Sequence, residues 1–335
     1  MRGSPEGKYQ LGNRLTALVP VRIWQECTAT RKRTLLPPAP RFARKVLAVD
    51  ALRKILGGAL CHLVNSISPT LRADPDGVHQ MRIAIRSARA AFRLFGVEYG
   101  TATEHKFDSR LRSLGQVFGQ ERDWNVFCLD TLPGAIAAAR SAVAASRLRR
   151  LRKPAERQRR AAQLATLRAI NGPLLTPLIL QLAAWVDKRS LSSPSSRYDL
   201  GHQQLSVLAP LLLNRVAHSA HRRARHVDRL STDKLHRVRK AVRRLGSDAT
   251  SLASAFPRRL VKPYKHRCDE VLRILGAISD TVVTRRIANL LIITHPDLRS
   301  AAAIVIRMSR CREAAERRTL KGALRALRRT PAFWL

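Results

Sequence analysis

His79-Gln80-Met81-Arg82-Ile83-Ala84-Ile85-Arg86 returns, 157 residues later, as His236-Arg237-Val238-Arg239-Lys240-Ala241-Val242-Arg243. Forty residues after each histidine stands a second, smaller pattern: Gly119 with Asp123, then Gly276 with Asp280. The same offset aligns Asp74 with Ser231, Phe107 with Tyr264 and Phe118 with Leu275. Spacing shared over such a length points to an internal duplication. The duplicated unit is a histidine followed by arginines at helical spacing.

At 100° per residue, His79, Arg82, Arg86, Arg89 and Arg93 fall within an arc of about 80° and form a ladder about 21 Å long. Met81, Ala84, Ile85, Ala88, Ala91, Phe92 and Phe95 lie on the opposite side. In the second copy His236, Arg239 and Arg243 hold the same positions, with Lys240 and Arg244 beside them. Val238, Ala241, Val242, Leu245, Ala249 and Leu252 form its apolar face. Both helices carry start signals. Asp74 is a good N-cap ahead of Pro75, and Ser231 is the equivalent cap with Asp233 in the first turn.

A basic helix face is ordinarily just solvated. Solvated faces usually mix both signs at i,i+4 spacing, however, and these ladders contain no carboxylate and recur in one register. The whole chain is equally one-sided. Its 335 residues hold 63 Lys+Arg against 23 Asp+Glu, a formal net charge of +40. Self-repulsion on this scale calls for an anionic partner: nucleic acid, an anionic membrane or a phosphate polymer.

From Arg44 onward nearly everything reads as helix, and no run alternates with period two. Breaks are expected at Pro69–Gly77, Pro133-Gly134, Gly172-Pro173, Pro257 and His295-Pro296, with the serine-rich stretch 190–196 as the seam. About four helices per repeat are expected, so the fold class is all-α: two four-helix bundles. Residues 1–42, closing on Pro37-Pro38-Ala39-Pro40, form an N-terminal extension; repeat one spans about 43–190 and repeat two about 196–335. Five cysteines without CxxC spacing argue against a zinc ribbon or a disulfide framework. No segment has the roughly 20 apolar residues of a membrane span, and no signal peptide is evident, so a cytoplasmic location is expected.

His79 and His236 share the faces of their arginines, and no Ser, Cys or paired carboxylate recurs beside them. Hydrogen bonding to phosphate is their expected role, ahead of acid/base chemistry or a core position. In each Gly-x-x-x-Asp pattern the glycine would permit close helix packing and the aspartate would orient an arginine, with Arg122 an added ligand in the first copy. His218, His221 and His226 have metal-like spacing but sit in a basic segment without cysteine or clustered carboxylates, so no metal or cofactor is expected. The basic run Arg147–Arg160 reads as a solvated helix or as an outer contact for the same polyanion.

These motifs resemble the signature of the CHAD family, the conserved-histidine α-helical domain. The first copy matches at His79, Arg82, Arg86, Arg89, Phe118-Gly119 and Arg122-Asp123. The second matches at Leu235-His236, Arg239, Arg243, Arg244, Leu245, Leu275-Gly276 and Asp280, and Phe333-Trp334 is similar to the family's ending. The sequence departs from the pattern at Ser87-Ala88, Asn125 and Gly246-Ser247, which shortens the second ladder and predicts a lopsided site with the first copy dominant. The resemblance implies two bundles related by a pseudo-twofold, with a basic groove or pore between them that binds inorganic polyphosphate without catalysis, often at polyphosphate granules. The implied ligands are His79, Arg82, Arg86, Arg89, Arg93, Arg112, Arg122, His236, Arg239, Lys240, Arg243, Arg244 and Lys265. Many relatives carry an N-terminal CYTH domain. Residues 3–42 faintly resemble its end, but lack the ExExK motif of triphosphate chemistry. Nucleic acid is the alternative partner or competitor. Against it, aromatics make up only 5% of the chain and none lies on the basic faces to stack bases.

Overall fold

The computed structural model describes residues 40–43, 45–99, 102–187 and 203–335; residues 1–39 of the N-terminal extension and the 190–196 seam lie outside them. Every regular element among the described residues is helical, and the β-type pairing there is one isolated bridge, Leu47 to Gln204. The first half contains α1 (Ala48–Leu71), α2 (Pro75–Tyr99), α3 (Ala102–Val126), α4 (Leu132–Ala137), α5 (Ala142–Arg149), α6 (Arg152–Asn171) and α7 (Leu175–Asp187). The second contains α8 (Leu205–Arg223), α9 (Thr232–Ser251), α10 (Arg258–Thr294) and α11 (Arg299–Arg329).

Among the described residues the second half has four α-helices, whereas the first has seven rather than about four. In the first, α3 runs into a π-helical turn, Phe127–Thr131, where Pro133 and Gly134 allow only a short α4. A further break follows, and Ser141 caps α5 by accepting a hydrogen bond from the Ala144 amide at 3.2 Å. Of the cysteines, Cys128, Cys268 and Cys311 are free thiols. No single helix among the described residues is long and apolar enough to cross a membrane.

The signature helices start where their caps require. Asp74 accepts the Asp76 amide at 2.9 Å, and Ser231 accepts the Lys234 amide at 3.4 Å. Ala73, just ahead of α2, takes a left-handed φ of 64° to turn the chain out of α1. The first turn of α2 then lies directly on the last turn of α1: a Cβ on Gly77 would come 2.5 Å from the Thr70 nitrogen and 2.8 Å from the Pro69 carbonyl carbon. Backbone cannot yield as a flexible side chain does. Gly77→Ala is therefore expected to cost about 1–3 kcal/mol by forcing the helices apart, measurable as a shifted urea midpoint. An unshifted midpoint would show that the two helices can separate freely.

The apolar stripe of α2, Met81 through Phe95, is buried throughout, and so is that of α9 except for half-buried Ala241. In the first half α2 packs on α1 and α3, and α3 on α6; in the second α9 packs on α8 and α10, and α10 on α11. The halves also meet directly, α2 against α9. One continuous core joins residues of both, from Leu56 and Phe95 to Leu245, Tyr264 and Trp334. A second core joins Trp124, Phe127, Leu148 and Leu151 to Ile287, Leu291 and Val305. With their apolar faces buried, α2 and α9 meet in a register that brings their basic faces together.

Candidate polyanion-binding site

The centre of the site is a cluster of four guanidinium groups: Arg82 and Arg86 from α2, Arg239 and Arg243 from α9. All four are only partly exposed; Arg82, Arg86 and Arg243 each feel the charge of Arg239, and Arg243 also feels Arg86 and Arg82 across the two helices. Burial first, then Arg82 and Arg239, push the Arg86 guanidinium down to about 10. Burial, then Arg239, Arg86 and Arg82, push Arg243 down to about 9. Both remain charged at neutral pH, but at a cost that an incoming anion would relieve. Nε of Arg239 is buried with no hydrogen-bond partner.

Two of the four, Arg82 and Arg239, lie against the glycine of the following helix. A Cβ on Gly119 would sit 4.0 Å from the Arg82 guanidinium, and one on Gly276 would sit 3.8 Å from Nη2 of Arg239. Arg82 also donates to the Gly119 carbonyl at 3.4 Å. One turn further, Asp123 on α3 lies 3.8 Å from Arg82 and accepts from Arg286 of α10 at 2.9 Å. Asp280 on α10 is set in the field of Arg239, Arg312 and Arg122. The glycines therefore make room for guanidinium groups as well as for helix packing.

His79 joins this cluster. Burial, then Arg122, Arg86 and Arg82, lower its pKa to about 4, so the imidazole is neutral at pH 7. His236 is more exposed, and its pKa is lowered by burial, Lys240, Arg239 and Arg243. Arg122 acts on His79, Arg82 and Asp280, which belong to both halves.

The remaining expected ligands fare differently. Arg89 is held in a bidentate pair by Asp108 of α3, at 2.8 and 3.2 Å, and Arg112, largely exposed, faces the same carboxylate at 3.7 Å. Arg244 donates to the Arg93 carbonyl at 3.0 Å and faces buried Asp248 at 3.5 Å, bracing α9 against α2. The ladders are thus not without carboxylates; their partners come from other helices or another turn. The added length of the first ladder gives it no advantage at the centre, because Arg89 is engaged and both helices contribute two arginines. Arg93 is exposed at the far end, close to Arg244. Lys240 is exposed beside His236, whereas Lys265 neighbours Cys268, about 16 Å before Gly276 along the α10 axis. Arg312 and Arg286 were not foreseen. Neither lies in a duplicated motif, so spacing offered no signal.

The basic run 147–160 spans α5 and α6. Leu148, Leu151 and Ala155 are buried while Arg149, Arg152 and Arg157 are exposed. Glu156 ties down Arg159 and Arg160 at 2.7 and 3.2 Å.

The solved CHAD domain from the plant Ricinus communis superposes with a TM-score of 0.75 at 22% identity, covering 89% of this chain and 98% of that one. PptA from Streptomyces chartreusis is similar at a TM-score of 0.62 and 14% identity, covering 84% and 100%. No curated protein matches the sequence. The CHAD domain family itself matches across residues 54–289, which hold both signature helices and both glycine–aspartate pairs. The chain belongs to the CHAD domain family.

Proposed function

We propose that this chain is a non-catalytic binding module for inorganic polyphosphate, working in the cytoplasm where the polymer accumulates in granules. The observation that carries the reading is the cluster of Arg82, Arg86, Arg239 and Arg243, four half-buried cations from two helices whose pKa values burial lowers, with Arg239 lowering the other three further. Such a cluster is costly when empty and gains most from a ligand that brings several negative charges close together. Guanidinium forks suit phosphate oxygens, and His79 and His236 add hydrogen bonds at the end of the cluster.

The organisation behind it is a pseudo-twofold duplication, residues 43–190 and 196–335 around a shared basic groove. Equivalent positions support this: Phe107 and Tyr264 are both buried, as are Phe118 and Leu275, and Gly119 and Gly276 each lie under an arginine. A protein reading nucleic acid through single strands would offer aromatic platforms beside its cations. Here the phenylalanines and tryptophans flanking α2, α3 and α10 are buried in the cores. Competition at equal charge between long-chain polyphosphate, RNA and DNA tests the reading. Polyphosphate is expected to displace both, and preference for either nucleic acid would replace it.

His79 predicts a pH dependence. Its pKa in the free protein is about 4, and phosphate contact would raise it. The complex then holds more protons than the free protein, so affinity rises as pH falls from 7 towards 4.5. A return to the ordinary histidine value would strengthen binding by more than about tenfold over that range. Calorimetry at several pH values should show the rise, and His79→Gln should flatten it. An equal rise in the variant would assign the proton elsewhere.

A further inference from the structure

The two aspartates of the duplicated motif have a meaning beyond orienting arginines. Among the described residues, the ladders hold two kinds of arginine–carboxylate pair. Arg89 with Asp108 is bidentate at 2.8 and 3.2 Å, a geometry that fixes the guanidinium. Arg82 with Asp123 is loose at 3.8 Å, and the aspartate's short contact is instead with Arg286. Asp280 makes no ion pair within 4 Å among the described residues but lies in the field of Arg239, Arg312 and Arg122, and it repels Asp123. The carboxylates are therefore placed among the central cations without locking them.

We propose that Asp123 and Asp280 are the site's internal counter-anions, which share the central arginines while the site is empty and oppose the phosphate chain that takes their place. The inference rests on the polyphosphate reading for the ligand's identity, but its physics needs only a polyanion. A carboxylate and a phosphate oxygen compete for the same N–H donors, and a carboxylate left beside a bound phosphate repels it. The pair thereby sets how strong a polyanion must be to occupy the site. Arg122 and Arg312, whose charges act on Asp280, are the further cations that this arrangement brings to the site.

The test is a titration of the full chain and its Asp123→Asn/Asp280→Asn variant with long-chain polyphosphate and, separately, with single-stranded RNA, together with thermal melting. Asparagine keeps the shape and removes the charge. Affinity for the bound polyanion is expected to rise at least about tenfold, since two like charges leave the contact region. A merely positioning role predicts the opposite, a fall in affinity with melting retained, and that result or an unchanged affinity overturns the proposal. Should the double variant fail to fold, Asp280→Asn alone is read in the same way. Its side chain is exposed, and a rise of about threefold is expected. If the unaltered chain binds RNA but not polyphosphate, the ligand reading fails while the aspartate effect is still measured on RNA. Binding of neither overturns both.

Discussion

Replacing Arg82 and Arg239 together by alanine is expected to weaken long-chain polyphosphate binding by about 10²–10⁴-fold. Each substitution removes a charge-assisted hydrogen bond worth about 1.5–3 kcal/mol, and 1.4 kcal/mol is a factor of ten. The pair is the right one to remove because the two guanidinium groups occupy equivalent seats, over Gly119 and over Gly276, and the charge of Arg239 acts on Arg82. Removing Arg82 also leaves Asp123 less compensated, which adds repulsion to the missing attraction. The dependence of affinity on salt should become shallower by about 0.7 in logarithmic slope for each phosphate that is no longer neutralised. Thermal melting of the empty variant separates lost contacts from lost stability. Arg86 and Arg243 are both held at depressed pKa partly by the residues removed, so the empty variant should melt no lower than the parent. Unchanged affinity at physiological salt would sink the assignment of the site.

What could be read in advance was what one helix determines alone. The apolar stripe from Met81 to Phe95 had to be buried, so the face carrying His79, Arg82 and Arg86 had to point elsewhere, and the caps at Asp74 and Ser231 set where both helices begin. The glycine–aspartate pattern was legible as packing plus arginine orientation, because four residues put both on one face of the next helix. What could not be read was anything that needed two helices in register. Asp108 meets Arg89 across two helices, and no spacing rule connects them. Arg244 looked like a ladder rung and is instead a strut on the Arg93 carbonyl. Arg312 acts on Asp280 from a helix with many exposed arginines, so nothing marked it out. The first half also divides into more helices than expected, since a π-helical turn does not announce itself in the composition of Phe127–Thr131.

Glu313→Ala should cost about 3–5 kcal/mol of stability, the usual consequence of removing one partner from a buried ionic network. Glu313 is 9% exposed and sits between two guanidinium groups. It accepts from Arg285 at 2.7 Å and from Arg317 at 2.8 and 2.9 Å. Arg317 in turn donates to the Leu230 carbonyl at 3.0 Å and to Thr232 Oγ1 at 3.1 Å. One carboxylate therefore ties α10 and α11 to the first turn of α9, four residues before His236. Its removal strands two cations that are mostly out of water, and a fall in melting temperature of roughly 10 °C is expected. Burial works to raise the Glu313 pKa, but hydrogen bonds from Arg317 and Arg285 outweigh it and hold the carboxyl below its ordinary value of 4.5. The sign follows: the knot's stabilisation is complete at neutral pH and disappears as pH falls below that value. Acid should therefore narrow the gap between the parent chain and Glu313→Ala. Replacing Glu313, Arg285 and Arg317 together by apolar residues of similar size should recover most of the stability, because no charge is then stranded. Recovery of melting without recovery of affinity would separate the knot's structural role from the placement of α9. A single-variant effect below about 1 kcal/mol would show that water reaches the stranded arginines and that the knot is not buried in solution.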